Sequence, residues 1–201
     1  MQPWETQSSA LVADYGIFRI RKDRCRSPRT QKAHDFWVLE TTDWVNVVAL
    51  TPEQEVVLVC QYRFGRQCTT LELAGGTVDP DETPVAAAAR ELREETGYVA
   101  DSVILLGSVE PNPAIQNNRC YTALALGCRR EFAQELDERE DISVQTRPIA
   151  AVPELLARGE ITHALVWAAF QHYELWQKGK LTPLPGASTD PSGGREGSGG
   201  K

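Results

Sequence analysis

The chain has 201 residues, 41% of them hydrophobic and 24% charged, with 28 acids against 21 bases and a formal charge of −7. That suits a soluble globular protein of one domain plus an extension and excludes two large domains. Net acidity repels phosphate backbones, so general nucleic-acid coating is excluded unless the charge is unevenly spread.

No apolar run approaches the roughly 20 residues of a membrane-spanning helix. The opening MQPWETQSSALVADYG lacks a basic stretch followed by an apolar one, and a cytoplasmic protein is expected. Cys25, Cys60, Cys68, Cys120 and Cys128 are odd in number and contain no C-x-x-C pair, which speaks against a disulfide scaffold or zinc knuckle. His34, His163 and His172 are dispersed and offer no i, i+4 metal pair.

In chain order, residues 15–41 predict two strands around the turn Ser27-Pro28, with Phe36, Trp37, Val38 and Leu39 as a β-prone run. Between Arg19 and Lys32 seven bases accompany one acid, Asp23. Without interleaved aromatic residues, this reads as a solvated hairpin tip rather than a nucleic-acid contact. The β-branched runs 44–50 and 55–62 flank Thr51-Pro52-Glu53-Gln54, a pattern of buried strands joined as a hairpin. Residues 69–73 predict a short strand leading into Gly75-Gly76. A helix is expected over 83–96, with Pro84 in its first turn and Gly97 as terminator. Strands follow near 103–107, 121–127 and 142–146, then helices over 152–158 and 161–177. From Pro183 onward apolar side chains are nearly absent, and a disordered tail is expected.

Chemistry concentrates in residues 76–98, GTVDPDETPVAAAARELREETGY. On a helix, Glu91, Glu94 and Glu95 stand at i, i+3 and i+4 and share a face, with Glu82 in the loop ahead. Arg90 and Arg93 offset only part of that like charge. One explanation is a solvated charged helix. The other is a divalent cation, since hard ions such as Mg2+ or Mn2+ take carboxylate oxygens and keep positions open for phosphate.

The spacing from Gly76 through Glu82 to Arg90-Glu91-Leu92-Arg93-Glu94-Glu95-Thr96-Gly97-Tyr98 resembles the Nudix hydrolase signature, G-x5-E-x7-R-E-U-x-E-E-x-G-U with U apolar. Every fixed position is met, and Tyr98 is a mild departure at the last apolar one. The resemblance covers residues 44–175. It implies an α/β fold, the Nudix α/β/α sandwich with a mixed sheet, and hydrolysis of a nucleoside diphosphate linked to another moiety. The implied cofactor is Mg2+ or Mn2+. By position, Glu91 and Glu95 become the main metal ligands, Glu94 a ligand of a further ion within the catalytic set, Glu82 a helper, and the Gly75 carbonyl a backbone ligand. Gly76, Arg90 and Gly97 take structural places: the turn into the loop, the orientation of a glutamate, and the end of the helix.

The flanks refine the resemblance. Gln61-Tyr62-Arg63 and Leu71-Glu72-Leu73-Ala74-Gly75-Gly76 look like the QYR and E-L-P-A-G-G stretches of ADP-ribose and nucleotide-sugar pyrophosphatases, with Ala74 and Gly75 where Pro and Ala are usual. Arg63 would then bind phosphate, with pairing to Glu72 as the structural alternative. Pro113, sixteen residues beyond Gly97, matches a marker of the ADP-ribose enzymes and completes a substrate-binding set of Arg63, Glu72 and Pro113. Glu138-Arg139-Glu140-Asp141-Ile142 is similar to their E-x-E-D-I base loop, pointing to Glu138 first and Glu140 second. Related enzymes dimerise through an N-terminal β extension, which implies a homodimer through residues 1–43 and Phe36 or Trp37 near the nucleoside base.

The expectation is Mg2+-dependent hydrolysis of a nucleotide sugar, foremost ADP-ribose to AMP and ribose 5-phosphate, by a domain over 44–182. The partner is a small nucleotide, not nucleic acid or membrane. Another nucleotide sugar such as GDP-mannose, or a nucleotide sensor without turnover, stands as the alternative. Residues 72–95 hold seven acids against two bases, and residues 131–141 six acids against one. The acidity therefore lies in the proposed metal helix and base loop, and does not speak against phosphate-bearing substrates.

Overall fold

The computed structural model describes residues 2–184. Most of the tail expected from Pro183 lies outside the described residues; within them, Leu184 donates its backbone N–H to the Leu105 carbonyl at 2.9 Å. The described chain divides into two compact units, residues 2–43 with 110–119, and residues 44–109 with 120–184.

The first unit is an antiparallel sheet of β1 (Glu5–Asp14), β2 (Arg19–Arg26) and β3 (Ala33–Glu40), in that order. The turn between β2 and β3 falls where Ser27-Pro28 predicts it, closed by the Gln31 N–H on the Ser27 carbonyl at 2.9 Å. The expected hairpin is present as β2 and β3, and β1 adds a third strand ahead of it. β1 is built from small, polar, exposed residues without a clear alternation, and its pairing with β2 from Glu5↔Arg26 to Asp14↔Arg19 defines it. Part of the basic run is paired: Arg21 with Asp23 on its own strand and with Glu40 on β3, and Lys22 and Arg24 with Asp35 on β3 at 2.8 and 2.9 Å. Residues 110–119 join this unit through the Leu39 N–H on the Ile115 carbonyl, 2.7 Å.

The second unit is built on a seven-stranded mixed sheet. β4 (Trp44–Leu50) and β5 (Glu55–Arg63) follow the two β-branched runs, yet pair only at Leu50↔Val56 beside their turn and then diverge. The chain that follows fills the gap. β6 (Cys68–Glu72) pairs with β5, and β7 (Ala74–Thr77) pairs with β4. Gly75-Gly76 thus sits in a strand rather than a turn. After α1 (Pro84–Thr96) come β8 (Tyr98–Val99), β9 (Ser102–Val109), β10 (Cys120–Leu126), β11 (Arg129–Arg130) and β12 (Ile142–Pro148). β10 lies parallel to β4, β9 antiparallel to β10, and β12 antiparallel to β5, while β8 and β11 form a separate small ladder.

Strand alternation divides the core between two faces. Val45, Val47, Ala49, Val57 and Val59 pack with Val85, Ala87, Ala88 and Leu92 of α1. Val48, Leu50, Val56, Leu58 and Leu124 pack on the other side against α2 (Val152–Ala157) and α3 (Ala164–Gln177). The result is the expected α/β/α sandwich. Thr83 caps α1 by accepting the Ala86 N–H at 3.2 Å, and Gly97 ends it at φ 75°. A Cβ there would strike the Phe132 carbonyl. α3 starts at Ala164, three residues later than expected, because His163 holds extended backbone and caps the helix with its ring. Cys25, Cys60, Cys68 and Cys128 are free thiols. No helix among the described residues is long and apolar enough to cross a membrane.

Candidate active site

Helix α1 presents its glutamates to β7. Glu91 and Glu95 are 8% and 5% exposed, and Glu95 Oε2 accepts the Gly75 N–H at 2.9 Å. A Cβ on Gly76 would overlap the Glu91 carboxylate, and one on Gly75 would strike the Val45 carbonyl across the ladder. Gly75 is therefore required by close approach to backbone, while a side chain at Gly76 would displace the Glu91 carboxylate. For Gly75 this explains the departure from the usual alanine, since β7 lies too tightly on β4 for a side chain.

Arg90 binds three carboxylates at once. It reaches Glu82 at 2.9 and 3.1 Å, Glu91 at 2.9 Å and Glu94 at 3.2 Å, and donates to the Thr77 carbonyl at 3.0 Å. It thus orders the loop, the helix and the strand together. Among the described residues no three His, Cys, Asp or Glu side chains already surround one point as a closed cage. A cation drawing on Glu91 or Glu94 competes with Arg90.

The donor set nonetheless fits a hard divalent ion. Burial raises the Glu95 carboxyl to about 8, opposed by the Gly75 N–H and reinforced by the charges of Glu91 and Glu140. Glu91 is raised by burial too, with Arg90 pulling the other way. Two buried carboxylates held against their preferred charge state are relieved by a cation. An acid whose carboxyl rises from 4.5 unfolded to about 8 folded contributes stability that is complete below the first value and lost as pH climbs through the second. In chelator, the melting temperature is therefore expected to fall between about pH 5 and pH 8 as Glu95 is forced to ionise. Saturating Mg2+ should flatten that fall, and Glu95→Gln should flatten it without metal; a scan by differential fluorimetry checks both.

Gly75 and Gly76 also line a cavity of about 720 Å3, together with Arg63, Arg66, Asn46 and His163. Arg63 pairs with Glu72 through two bonds, at 2.9 and 2.7 Å, so the structural alternative for this arginine is realised. Burial pushes the Glu72 carboxyl up, but Arg63 and Thr70, with a smaller contribution from His163, outweigh it and hold it below the usual range. Both residues still line the cavity. Asn46 and His163 were not singled out in the sequence. Their only signals are a polar residue inside an apolar strand run and a cap ahead of a core helix.

The acidic loop favours the second of its candidate bases. Glu140 is half-buried and its charge acts on both Glu91 and Glu95, whereas Glu138 is exposed. Pro113 is an exposed residue of the first unit, as are Phe36, which meets Trp4 edge-on at 5.3 Å, and Trp37, which lies under Lys22. None of the three lines this cavity.

A mixed sheet between helices, with a glutamate-bearing helix seated on a glycine strand beside a basic cavity, is the plan of a hydrolase of phosphate anhydrides. The NUDIX domain model matches residues 41–170, and the chain belongs to that family, as a Nudix hydrolase. It is 30% identical over 190 residues to the ADP-ribose pyrophosphatase of Mycobacterium tuberculosis (strain ATCC 25618 / H37Rv), spanning 90% of this chain and 88% of that one. It is also 30% identical over 132 residues to the ADP-ribose pyrophosphatase of Bacillus subtilis (strain 168), spanning 65% and 71%. A crystal structure of an ADP compounds hydrolase shares the fold, with TM-score 0.80 at 22% identity over 90% of this chain and 97% of that chain.

Proposed function

We propose that the chain hydrolyses ADP-ribose to AMP and ribose 5-phosphate with Mg2+. The observation that carries this reading is the double role of Gly75 and Gly76, which seat Glu95 and Glu91 and also line the cavity bearing Arg63 and Arg66. Cation-seeking glutamates and phosphate-seeking guanidiniums thus border the same pair of glycines. The size of the cavity suits a nucleoside diphosphate sugar. Similarity over 90% of the chain to an ADP-ribose pyrophosphatase supports the choice of substrate.

In this reading Glu91, Glu95 and the Gly75 carbonyl hold the metal, with Glu94 and Glu82 assisting. When bound, Mg2+ neutralises the diphosphate and makes water more acidic. Arg90 fixes the glutamates, and Arg66 and Arg63, the latter through the guanidinium nitrogen that its two bonds to Glu72 do not use, bind phosphate oxygens. Glu140 takes the proton of the attacking water. A new P–O bond forms from that water to one phosphorus of the diphosphate as its bond to the bridging oxygen breaks, so one of AMP and ribose 5-phosphate carries the water oxygen and the other leaves with the bridging oxygen.

A panel of nucleotide sugars including ADP-ribose and GDP-mannose, read by phosphate release after phosphatase coupling, tests the substrate. ADP-ribose is expected to give the highest kcat/KM, and a higher value for another sugar reassigns it. The first unit is read as the contact of a homodimer, supported by exposed Leu11, Val12 and Ile17 on its sheet and turn. Gel filtration checks this, with a monomer as the contrary result.

A further inference from the structure

We propose that Gln134 is a positioning residue for the base: its side-chain amide staples both feet of the acidic loop to the last turn of α1 and so fixes where Glu140 stands relative to Glu91 and Glu95. The proposal rests on the reading of Glu140 as base given above. The last carbonyls of a helix have no partner within it. In α1 the acidic loop supplies two of the missing donors. The Glu94 carbonyl accepts the Glu135 N–H at 2.8 Å, and the Glu95 carbonyl accepts Gln134 Nε2 at 2.6 Å. Glu94 and Glu95 thus serve twice, their carboxylates in the proposed metal set and their carbonyls as the seat of the loop.

The other hydrogen of the Gln134 amide goes to the Ile142 carbonyl at 3.0 Å, where β12 begins. Both donors of the amide are therefore used. Residues 134 and 142 flank the loop, so one half-buried side chain ties its two feet to a single point on α1. Between them, Leu136 packs against the core beside α1. The Glu140 N–H closes a turn on the Asp137 carbonyl at 3.2 Å, and the Asp137 N–H returns to Glu140 Oε2 at 3.1 Å. Backbone of the loop thereby aims the Glu140 carboxylate, and Oε1 has no hydrogen bond among the described residues. The remaining tie, Arg93 to Glu135 at 2.7 Å, is exposed and holds little by itself. Anchoring falls to the amide. A base acts only within hydrogen-bond reach of its proton, and a misplacement of about 1 Å costs up to about a hundredfold.

The test uses the full chain with ADP-ribose and Mg2+. Gln134→Met keeps the length and loses both donors, with Gln134→Leu in reserve if the methionine variant does not fold. The kcat is expected to fall about tenfold or more, with KM within about twofold of wild type, as for a base held out of place. Mn2+ affinity, titrated by electron paramagnetic resonance without nucleotide, should fall less than about twofold, short of the roughly tenfold or greater loss expected for a residue supporting a ligand carboxylate directly. In a Glu140→Gln background the same substitution should cost less than about twofold, because a base already removed cannot be misplaced. A residue that only packs would lower kcat by the same factor in both backgrounds, and that result overturns the staple alone. So does an unchanged kcat, or a change in KM or Mn2+ affinity beyond these ranges. An inert wild type, or a Glu140→Gln variant with unchanged kcat, overturns the reading beneath it as well.

Discussion

Glu95→Gln is expected to lower kcat on ADP-ribose by about a thousandfold or more, because the charge proposed to hold the metal and place the attacking water is lost in one step. The substitution is close to isosteric, and the glutamine carbonyl can still accept the Gly75 N–H that Glu95 accepts at 2.9 Å. The fold should therefore survive. Above about pH 7 in chelator the variant should melt higher than wild type, since the buried carboxyl of Glu95 no longer has to ionise. Those two changes separate a metal ligand from a packing residue, which would lose activity and stability together. Near wild-type turnover with Mg2+ would show that the ion is held elsewhere.

The second large effect belongs to the acidic loop. Glu140→Gln is expected to reduce kcat by about 10^2 to 10^4, the range for removing a general base. Glu138→Gln should lose at least about ten times less, because Glu138 is exposed whereas the charge of Glu140 acts on both buried glutamates of α1. Rates across pH 6 to 9 for both variants read the assignment. A larger loss at Glu138 would restore the order that the E-x-E-D-I resemblance suggests and would mean that the loop rearranges on binding.

What was legible in the sequence was what depends on neighbours along the chain. Pro84, the Gly97 terminator and the glutamate spacing are local, and α1 lies where they place it, one residue shorter at its start because Thr83 serves as the cap. Each apolar strand run likewise found its place in the sheet. β1 escaped because ETQSSALVAD carries little β signal, and its partner strand defines it. The role of Gly75 was also hidden, since its lack of a side chain answers to Val45, thirty positions away in sequence and adjacent across the ladder. Asn46 and His163 are similar cases. One lies on a strand and the other at a helix start, and only the fold brings both to one cavity. Arg63 was open between phosphate and Glu72 because both partners suit a guanidinium equally well; the structure supplies Glu72 at 2.7 Å.

The most direct measurement is incubation of the wild-type chain with ADP-ribose and Mg2+, followed by chromatography of the products. The account predicts AMP and ribose 5-phosphate in equal amounts, with turnover abolished by chelator and restored by added Mg2+. Tight binding of ADP-ribose with no AMP formed under Mg2+ or Mn2+ would contradict it and leave a nucleotide sensor.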